Sequence, residues 1–291
     1  MTNSATPLTV GQALQRGSVL SASSDSPQLD CQLLLGRVLE QGHAWLITHT
    51  LDALSKDQEN AFEALLHRRL QGEPIAYLLG TQGFWDMDLV VNTATLIPRP
   101  ETELLVELLL SLPQDPCIRL LDLGTGTGAI AIAIQRERPH WAVYGLDRSA
   151  AALAVAQGNA KTWHPPGMAF IQANWLGPIR SASFDVIVAN PPYIEPLDAH
   201  LAQLRYEPHQ ALVAADAGYA DLHAIMQQAT RCLMPGGHLL LEHGFDQQQQ
   251  LERRLLAWGF DNIQLFDDLN HQPRAILALW PGTASREEKL P

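Results

Sequence analysis

A glycine-rich turn between an apolar strand and an apolar helix lies near the middle of the chain. Residues 118–123 read as a buried strand, and the turn that follows is Gly124-Thr125-Gly126-Thr127-Gly128. Glycine lets the backbone approach a ligand closely, and the N-terminus of the next helix offers free N–H groups. A second strand ends at Asp147, the usual place for an acid that binds ribose hydroxyls. This order of elements predicts a nucleotide-type site.

The turn by itself is compatible with two nucleotide ligands. Gly124, Gly126 and Ala129 satisfy the pattern G-x-G-x-x-G/A of dinucleotide binding. Asp122 precedes the turn, where its charge would repel a pyrophosphate but attract the ammonium and sulfonium of S-adenosylmethionine. The acid therefore favours S-adenosylmethionine over NAD. A purely structural role for Asp122, as a strand-end acid that caps the turn, is also compatible with the sequence.

Strands and helices alternate along the chain from Pro100 onward. We predict strands at 118–123, 142–147, 169–173, 184–189, 238–243, 262–267 and 274–280, and helices at 101–112, 127–137, 149–160, 220–233 and 246–258. Ser149 is a predicted N-cap, and Pro235-Gly236-Gly237 a predicted turn into the fifth strand. The alternation predicts an α/β fold with a doubly wound, mostly parallel sheet. Residues 268–273 are too few for a crossover, so the last two strands should be antiparallel neighbours.

The tetrapeptide Asn190-Pro191-Pro192-Tyr193 follows the strand predicted at 184–189. Proline restricts the preceding residue to extended conformations and has no N–H group, so hydrogen-bond acceptors predominate here. An asparagine oxygen, a backbone carbonyl and an aromatic ring suit a planar nitrogen such as an amide or an exocyclic amine. Asn-Pro is also a common turn dipeptide. However, Asp147 and Asn174-Trp175 also follow strands, so these side chains should meet in one crevice.

Together these motifs resemble the class I S-adenosylmethionine-dependent methyltransferases, which have a Rossmann-like fold. More narrowly, the chain resembles the release factor glutamine methyltransferases over about residues 30–280. This narrower resemblance is carried by residues 72–80, 84–85, 96–103, 174–175, 205–208 and 241–244. The segment Pro98-Arg99-Pro100-Glu101-Thr102-Glu103 is its most specific part, whereas Asn-Pro-Pro-Tyr also occurs in DNA adenine methyltransferases. Residues 213–218 depart from the many relatives that have a Gly-Gly-x-Asp-Gly run.

The resemblance implies methyl transfer from S-adenosylmethionine to the side-chain amide nitrogen, N5, of the glutamine in the Gly-Gly-Gln motif of class I peptide release factors. The implied catalytic residues are Asn190, Pro191, Pro192 and Tyr193. Asn190 and the Pro191 carbonyl would accept the two N–H groups, and Tyr193 would stack on the amide. The expected cofactor-binding residues are Asp122, Gly124, Thr125, Gly126, Thr127, Gly128, Asp147, Trp175 and Asn190. A nucleic-acid adenine N6-methyltransferase and a catalytically silent S-adenosylmethionine-binding protein remain alternatives.

The net charge limits which classes of partner the protein should bind, and the cysteine content indicates its cellular compartment. With 19 Lys and Arg against 31 Asp and Glu, the net charge of −12 disfavours DNA and suits a basic protein partner. No segment is long and apolar enough for a membrane span. Cys31, Cys117 and Cys232 are widely spaced, which predicts free thiols in the cytoplasm and no disulfide or metal framework. The eleven histidines are not spaced as pairs of metal ligands either, so we expect no metal site. We also expect the protein to be a monomer.

Apolar residues recur at helical spacing over residues 8–71, and Ser55-x-x-Gln58 is a predicted capping box. We therefore expect four segments. Residues 1–75 form a small helical domain that docks the substrate or only stabilises the fold, and residues 76–98 a β-hairpin linker. Residues 99–281 form the methyltransferase domain, and 282–291 a tail.

Overall fold

The computed structural model describes residues 7–112, 118–163 and 167–282. The chain divides into two compact units, Met1–Thr81 and Gln82–Pro291. Cys117 and residues 283–291 of the predicted tail lie outside the described residues. The boundaries of the four predicted segments stay predictions.

The first unit is helical. It contains α1 (Val10–Gln15), a 3₁₀ helix (Arg16–Ala22), α2 (Pro27–Leu39), α3 (His43–Thr48), α4 (Lys56–Leu70) and α5 (Ile75–Leu79). The predicted capping box is present, since the Ser55 hydroxyl accepts from the Gln58 N–H and the Gln58 side chain accepts from the Ser55 N–H. Leu34, Leu35 and Phe62 are fully buried in one core, so the apolar stripes of α2 and α4 pack on each other.

A short hairpin leads into the second unit. Its strands are β1 (Thr81–Phe84) and β2 (Met87–Val90). Trp85 in the turn has a positive φ of 57°, and its N–H donates to the Glu103 carboxylate at 2.7 Å. The turn is therefore held by an acid of the 96–103 segment.

A seven-stranded sheet forms the centre of the second unit. Its strands are β3 (Arg119–Leu123), β4 (Ala142–Asp147), β5 (Ala169–Gln172), β6 (Phe184–Ala189), β7 (Leu233–Glu242), β8 (Asp261–Asp267) and β9 (Pro273–Trp280). The order is β5-β4-β3-β6-β7-β9-β8. The first five strands are parallel, and β9 is antiparallel to both β7 and β8. The predicted doubly wound sheet and the antiparallel pairing of its last two strands are both confirmed.

Helices cover both faces of this sheet. They are α6 (Glu103–Ser111), α7 (Ala129–Glu137), α8 (Ala150–Trp163), α9 (Ala220–Cys232) and α10 (Gln248–Trp258). Side chains alternate between faces along a strand, so Leu120 packs in the cluster with α6 and α7, and Leu121 in the cluster with α9 and α10. Because β3 lies between β4 and β6, the chain reverses its winding there, and a crevice opens beyond the strand ends.

One predicted strand start is wrong. The fifth strand of the sheet, β7, begins at Leu233 rather than at 238, and Pro235-Gly236-Gly237 lies within it instead of before it. The pairing with β6 shifts register there, from Phe184↔Leu233 to Val186↔His238. A proline and two glycines are tolerated in a strand where an irregularity absorbs the extra residues.

Among the residues that the structure describes, no helix has the length and apolarity needed to cross a bilayer.

Candidate active site

A cavity opens beyond the carboxyl ends of β3, β4, β5 and β6. It is lined by Ala94, Thr95, Leu96, Gly124, Gly126, Leu146, Asp147, Arg148, Ser149, Ala152, Ala173, Asn174, Trp175, Asn190, Pro192, Pro208, Gln210 and Ala211. The structure thus brings together residues from all four strand ends that the sequence singled out.

The glycine turn forms one wall of the cavity. Gly124 and Gly126 have φ values of 70° and 55°, a conformation that side chains rarely adopt. The N–H groups of Gly124 and Thr125 both donate to the Leu146 carbonyl, at 2.8 and 2.9 Å, which ties the turn to β4. A Cβ on Gly124 would lie 3.5 Å from the Trp175 ring, so the turn and this ring are close neighbours.

Asp147, the last residue of β4, connects the turn to the next helix. One of its carboxylate oxygens accepts from the Gly126 N–H at 3.0 Å, and the other from the Ser149 N–H at 2.9 Å. Ser149 caps α8 as predicted, because its hydroxyl accepts from the Ala152 N–H at 3.2 Å. Two backbone donors therefore fix the carboxylate on the cavity wall and leave lone pairs for hydroxyl groups of a ligand.

Asp122 lies behind the turn rather than on the cavity wall. Its side chain is 1% exposed and accepts a 2.6 Å hydrogen bond from the Thr125 hydroxyl. Burial raises the pKa of Asp122 to about 7, and the nearby charge of Asp147 adds to this increase. Three other residues expected to bind cofactor, Thr125, Thr127 and Gly128, are likewise absent from the cavity lining. The geometry of Asp122 agrees with the turn-capping alternative.

Trp175 follows β5 and has a positive φ of 48°, which is unusual for a bulky side chain. Its indole N–H donates to the Asp221 carboxylate at 2.8 Å, so α9 holds the ring in place. The ring is part of the cavity wall. A strained backbone held by a specific hydrogen bond is typical of a residue that a site needs in one position.

The four residues of the Asn-Pro-Pro-Tyr motif are placed differently. Asn190 and Pro192 line the cavity, whereas Pro191 is buried beside it and Tyr193 is outside the lining. The Asn190 amide nitrogen donates to the Thr102 hydroxyl at 3.0 Å, and that hydroxyl donates to Glu242 at 2.8 Å. The Tyr193 hydroxyl donates to the other oxygen of Glu242 at 3.3 Å. Asn190 is thus supported by Thr102 and Glu242, which come from two distant segments of the chain.

Several lining residues were not predicted from the sequence, including Ala94–Leu96 in one segment and Pro208, Gln210 and Ala211 in another. Glu207 explains how these two segments meet. It is buried, accepts from the Ile97 N–H at 3.0 Å and forms an ion pair with Arg99. Both segments belong to motifs that carry the family resemblance, and their distance along the chain concealed this contact.

The backbone over residues 213–218 is strained. Asp216 and Ala217 have φ values of 55° and 52°, a left-handed conformation that is sterically more favourable for glycine. Gly218 follows them, and a Cβ on it would lie only 2.2 Å from the Tyr193 carbonyl oxygen. Gly218 therefore allows this loop to pack directly against the backbone of the Asn-Pro-Pro-Tyr motif.

The described residues contain no group of three or more His, Cys, Asp or Glu side chains that could hold a metal ion. Cys31 and Cys232 are free and buried. Burial raises the pKa of the Cys31 thiol to about 11, so this thiol is unreactive at neutral pH.

Each of the two units matches the model of a known protein family. Residues 12–80 match the family model described as the PrmC N-terminal domain, and residues 114–272 match a methyltransferase domain. A curated protein of Shewanella oneidensis named release factor glutamine methyltransferase is 42% identical over 94% of this chain and 96% of its own length. The chain belongs to the release factor glutamine methyltransferase family. The resemblance drawn from the motifs is therefore confirmed.

Further relatives agree with this assignment. The release factor glutamine methyltransferases of Aliivibrio fischeri and Escherichia coli are 44% and 42% identical, over 92% and 88% of this chain and 97% and 93% of their own lengths. Among solved structures, a methyltransferase from Pyrococcus furiosus aligns over 76% of this chain and all of its own with a TM-score of 0.53. At 14% identity, this likeness concerns the fold only.

Proposed function

We propose that this protein transfers a methyl group from S-adenosylmethionine to the glutamine side-chain nitrogen in the Gly-Gly-Gln motif of class I release factors. The observation that supports this most is the position of Asn190. Its side chain shares one cavity with Gly124, Gly126, Asp147 and Trp175, so an acceptor of amide N–H groups adjoins a nucleoside-type site.

The residues of the cavity fit S-adenosylmethionine. The Asp147 carboxylate, fixed by two backbone N–H groups, would bind the ribose hydroxyls, and Trp175 would pack on the adenine. Gly124 and Gly126 let the backbone approach the amino-acid part closely. When bound, this cofactor supplies an electrophilic methyl group on a sulfonium. Asp122 acts on this site through the Thr125 hydroxyl and the turn.

A glutamine amide is a poor nucleophile because its nitrogen lone pair is delocalised into the carbonyl. Asn190 compensates by accepting an N–H group of the substrate and orienting the nitrogen. As the nitrogen–methyl bond forms, the methyl–sulfonium bond would break to leave a neutral thioether, and the N–H proton, acidic only at that stage, would pass to water, so no strong base is needed beforehand. The protein therefore contributes mainly positioning and electrostatics. The Tyr193 hydroxyl donates a hydrogen bond to Glu242, the acid that holds Thr102 beside Asn190, and the Tyr193 ring would stack on the substrate amide.

Incubation with methyl-labelled S-adenosylmethionine and either a class I release factor or DNA tests the substrate. We expect label on the release factor, and none when the glutamine of its Gly-Gly-Gln motif is replaced. Label on DNA adenine would instead support the alternative N6-methyltransferase, which needs the same acceptor geometry. Cofactor binding without transfer to either would support a silent binding protein. The net charge of −12 favours the protein substrate.

Asp147→Ala should weaken binding of S-adenosylmethionine by about 1–3 kcal/mol, the scale of hydrogen bonds to a charged group. Calorimetry on the folded variant measures this loss directly. Asp267→Ala is a suitable control, because it removes an exposed acid at the end of β8 that does not line the cavity. Equal affinity in wild type and Asp147→Ala would refute the ribose assignment, and tighter binding of NADH would refute the choice of cofactor.

A substrate-docking role of residues 1–75, a monomeric state and a cytoplasmic location are further proposals that rest on the family resemblance and on composition.

A further inference from the structure

Two hydrogen bonds connect Asn190 to a buried acid, and a third connects the same acid to Tyr193. The Asn190 amide nitrogen donates to Thr102 Oγ1 at 3.0 Å, and the Thr102 hydroxyl donates to Glu242 Oε2 at 2.8 Å. Glu242 Oε1 accepts from the Tyr193 hydroxyl at 3.3 Å. Thr102 and Glu242 are only 6% and 1% exposed, so water does not replace these contacts.

While Glu242 is ionised, the chain of donors can run in only one direction. An ionised carboxylate accepts hydrogen bonds and cannot donate them, so the single hydroxyl hydrogen of Thr102 is committed to Glu242. The Thr102 oxygen can then only accept from Asn190. The amide nitrogen of Asn190 must face Thr102, and its oxygen must face the other way. Without this constraint, the oxygen and nitrogen ends of an asparagine amide have nearly the same shape and can exchange places.

We propose that Thr102 and Glu242 are positioning residues, which orient the Asn190 amide so that its oxygen faces the substrate nitrogen. This inference rests on the proposed function. Burying a carboxylate is costly, and an apolar side chain of similar volume at 242 would fill the same space without that cost. A role in orienting Asn190 accounts for an acid at this position, whereas packing alone does not.

The orientation of the Asn190 amide should depend on pH, because it depends on the charge state of Glu242. Burial raises the pKa of Glu242 to about 7, opposed by hydrogen bonds from Thr102 and Tyr193 and the charge of Arg274, and assisted by the charge of Glu101. Once protonated, Glu242 can itself donate to Thr102, which frees the Thr102 hydrogen and allows the Asn190 amide to turn. We therefore expect kcat to fall as pH decreases through about 7.

Thr102→Val tests the proposal, because valine keeps the shape and removes the hydroxyl. We expect kcat on a release factor to fall roughly 3- to 10-fold, the scale of one neutral hydrogen bond, with KM and cofactor affinity nearly unchanged. Thr102→Ser keeps the hydroxyl and should therefore retain most of the wild-type kcat. Thr162→Val, on the exposed far end of α8, is the matched control and should behave like wild type. Thr102→Ala replaces Thr102→Val if the latter fails to fold.

A double-mutant cycle separates orientation from general support of the fold. In an Asn190→Ala background, Thr102→Val should cause no further loss of kcat, because there is no amide left to orient. The decrease of kcat below pH 7 should be weaker in Thr102→Val than in wild type. Independent, multiplicative losses in the double variant, or a loss of kcat that follows a lowered melting temperature, would overturn the inference. Wild type that labels no release factor would refute the proposed function instead.

Discussion

Asn190→Ala should lower kcat on a class I release factor by about 100-fold or more, the usual effect of removing one oriented polar group from a reacting centre. The hydrogen bond from the substrate nitrogen to Asn190 should strengthen as the nitrogen gains positive character, so the loss falls on the transition state. Affinity for S-adenosylmethionine, measured by calorimetry, should change little. Steady-state kinetics with labelled cofactor measures kcat and KM separately.

Asn190→Asp distinguishes this role from a structural one. Aspartate keeps the preference for a turn before Pro191 but carries a charge and has lost the N–H donor to Thr102. If Asn190 only shapes the turn, Asn190→Asp should be fully active, and that result would contradict the catalytic assignment. Asn60→Ala, an exposed asparagine replacement on α4, serves as a control and should retain the wild-type kcat.

The carboxyl ends of the strands could be predicted from the sequence because two local signals define them. Apolar runs mark the buried strands, and polar or glycine residues end them, as at Gly124, Asp147 and Asn190. Parallel strands bring these ends to one edge of the sheet without further information. This is why Gly124, Gly126, Asp147, Trp175 and Asn190, predicted independently, all line one cavity.

The hydrogen bonds and ion pairs that hold these residues in place could not be predicted in the same way. Thr102 and Glu242 are separated from Asn190 by 88 and 52 positions, and no periodicity links an acid at the end of β7 to a threonine before α6. Glu207 similarly joins two segments 108 positions apart through Arg99. Such contacts depend on how loops fold over the sheet, which local propensity does not determine.

Tyr193 illustrates a second limit. Its ring was assigned to the substrate amide from its place in the motif, yet its hydroxyl is bound to Glu242 and the residue does not line the cavity. Burial and the nearby charge of Glu242 raise the pKa of Tyr193, so the hydroxyl stays a donor. A motif specifies which residues are close together, but the direction of each side chain follows from its partners.

Asp122→Asn should change how stability depends on pH. Burial raises the pKa of Asp122 to about 7, well above that of an aspartate in an unfolded chain. Between these two values the folded state holds a proton that the unfolded state has lost. The stabilisation is thus complete at low pH and is lost as pH rises through about 7. Wild-type free energy of unfolding should therefore contain a contribution that declines over about pH 5–7.

Removing this carboxylate should make the decline shallower by up to about 1.4 kcal/mol per pH unit, the limit for one titrating proton. Urea unfolding at several pH values measures the difference between variant and wild type. That difference cancels the opposite contributions of half-buried His238 and buried His243, whose pKa values burial lowers. Asp185→Asn is the matched control: burial tends to raise the pKa of Asp185, but hydrogen bonds and charge from Arg119 hold it below its ordinary value. Asp185 is therefore ionised throughout this range, and its replacement should leave the slope unchanged. Parallel curves for wild type and Asp122→Asn would show that Asp122 is charged behind the glycine turn, as an acid that attracts the cofactor's cationic groups would be.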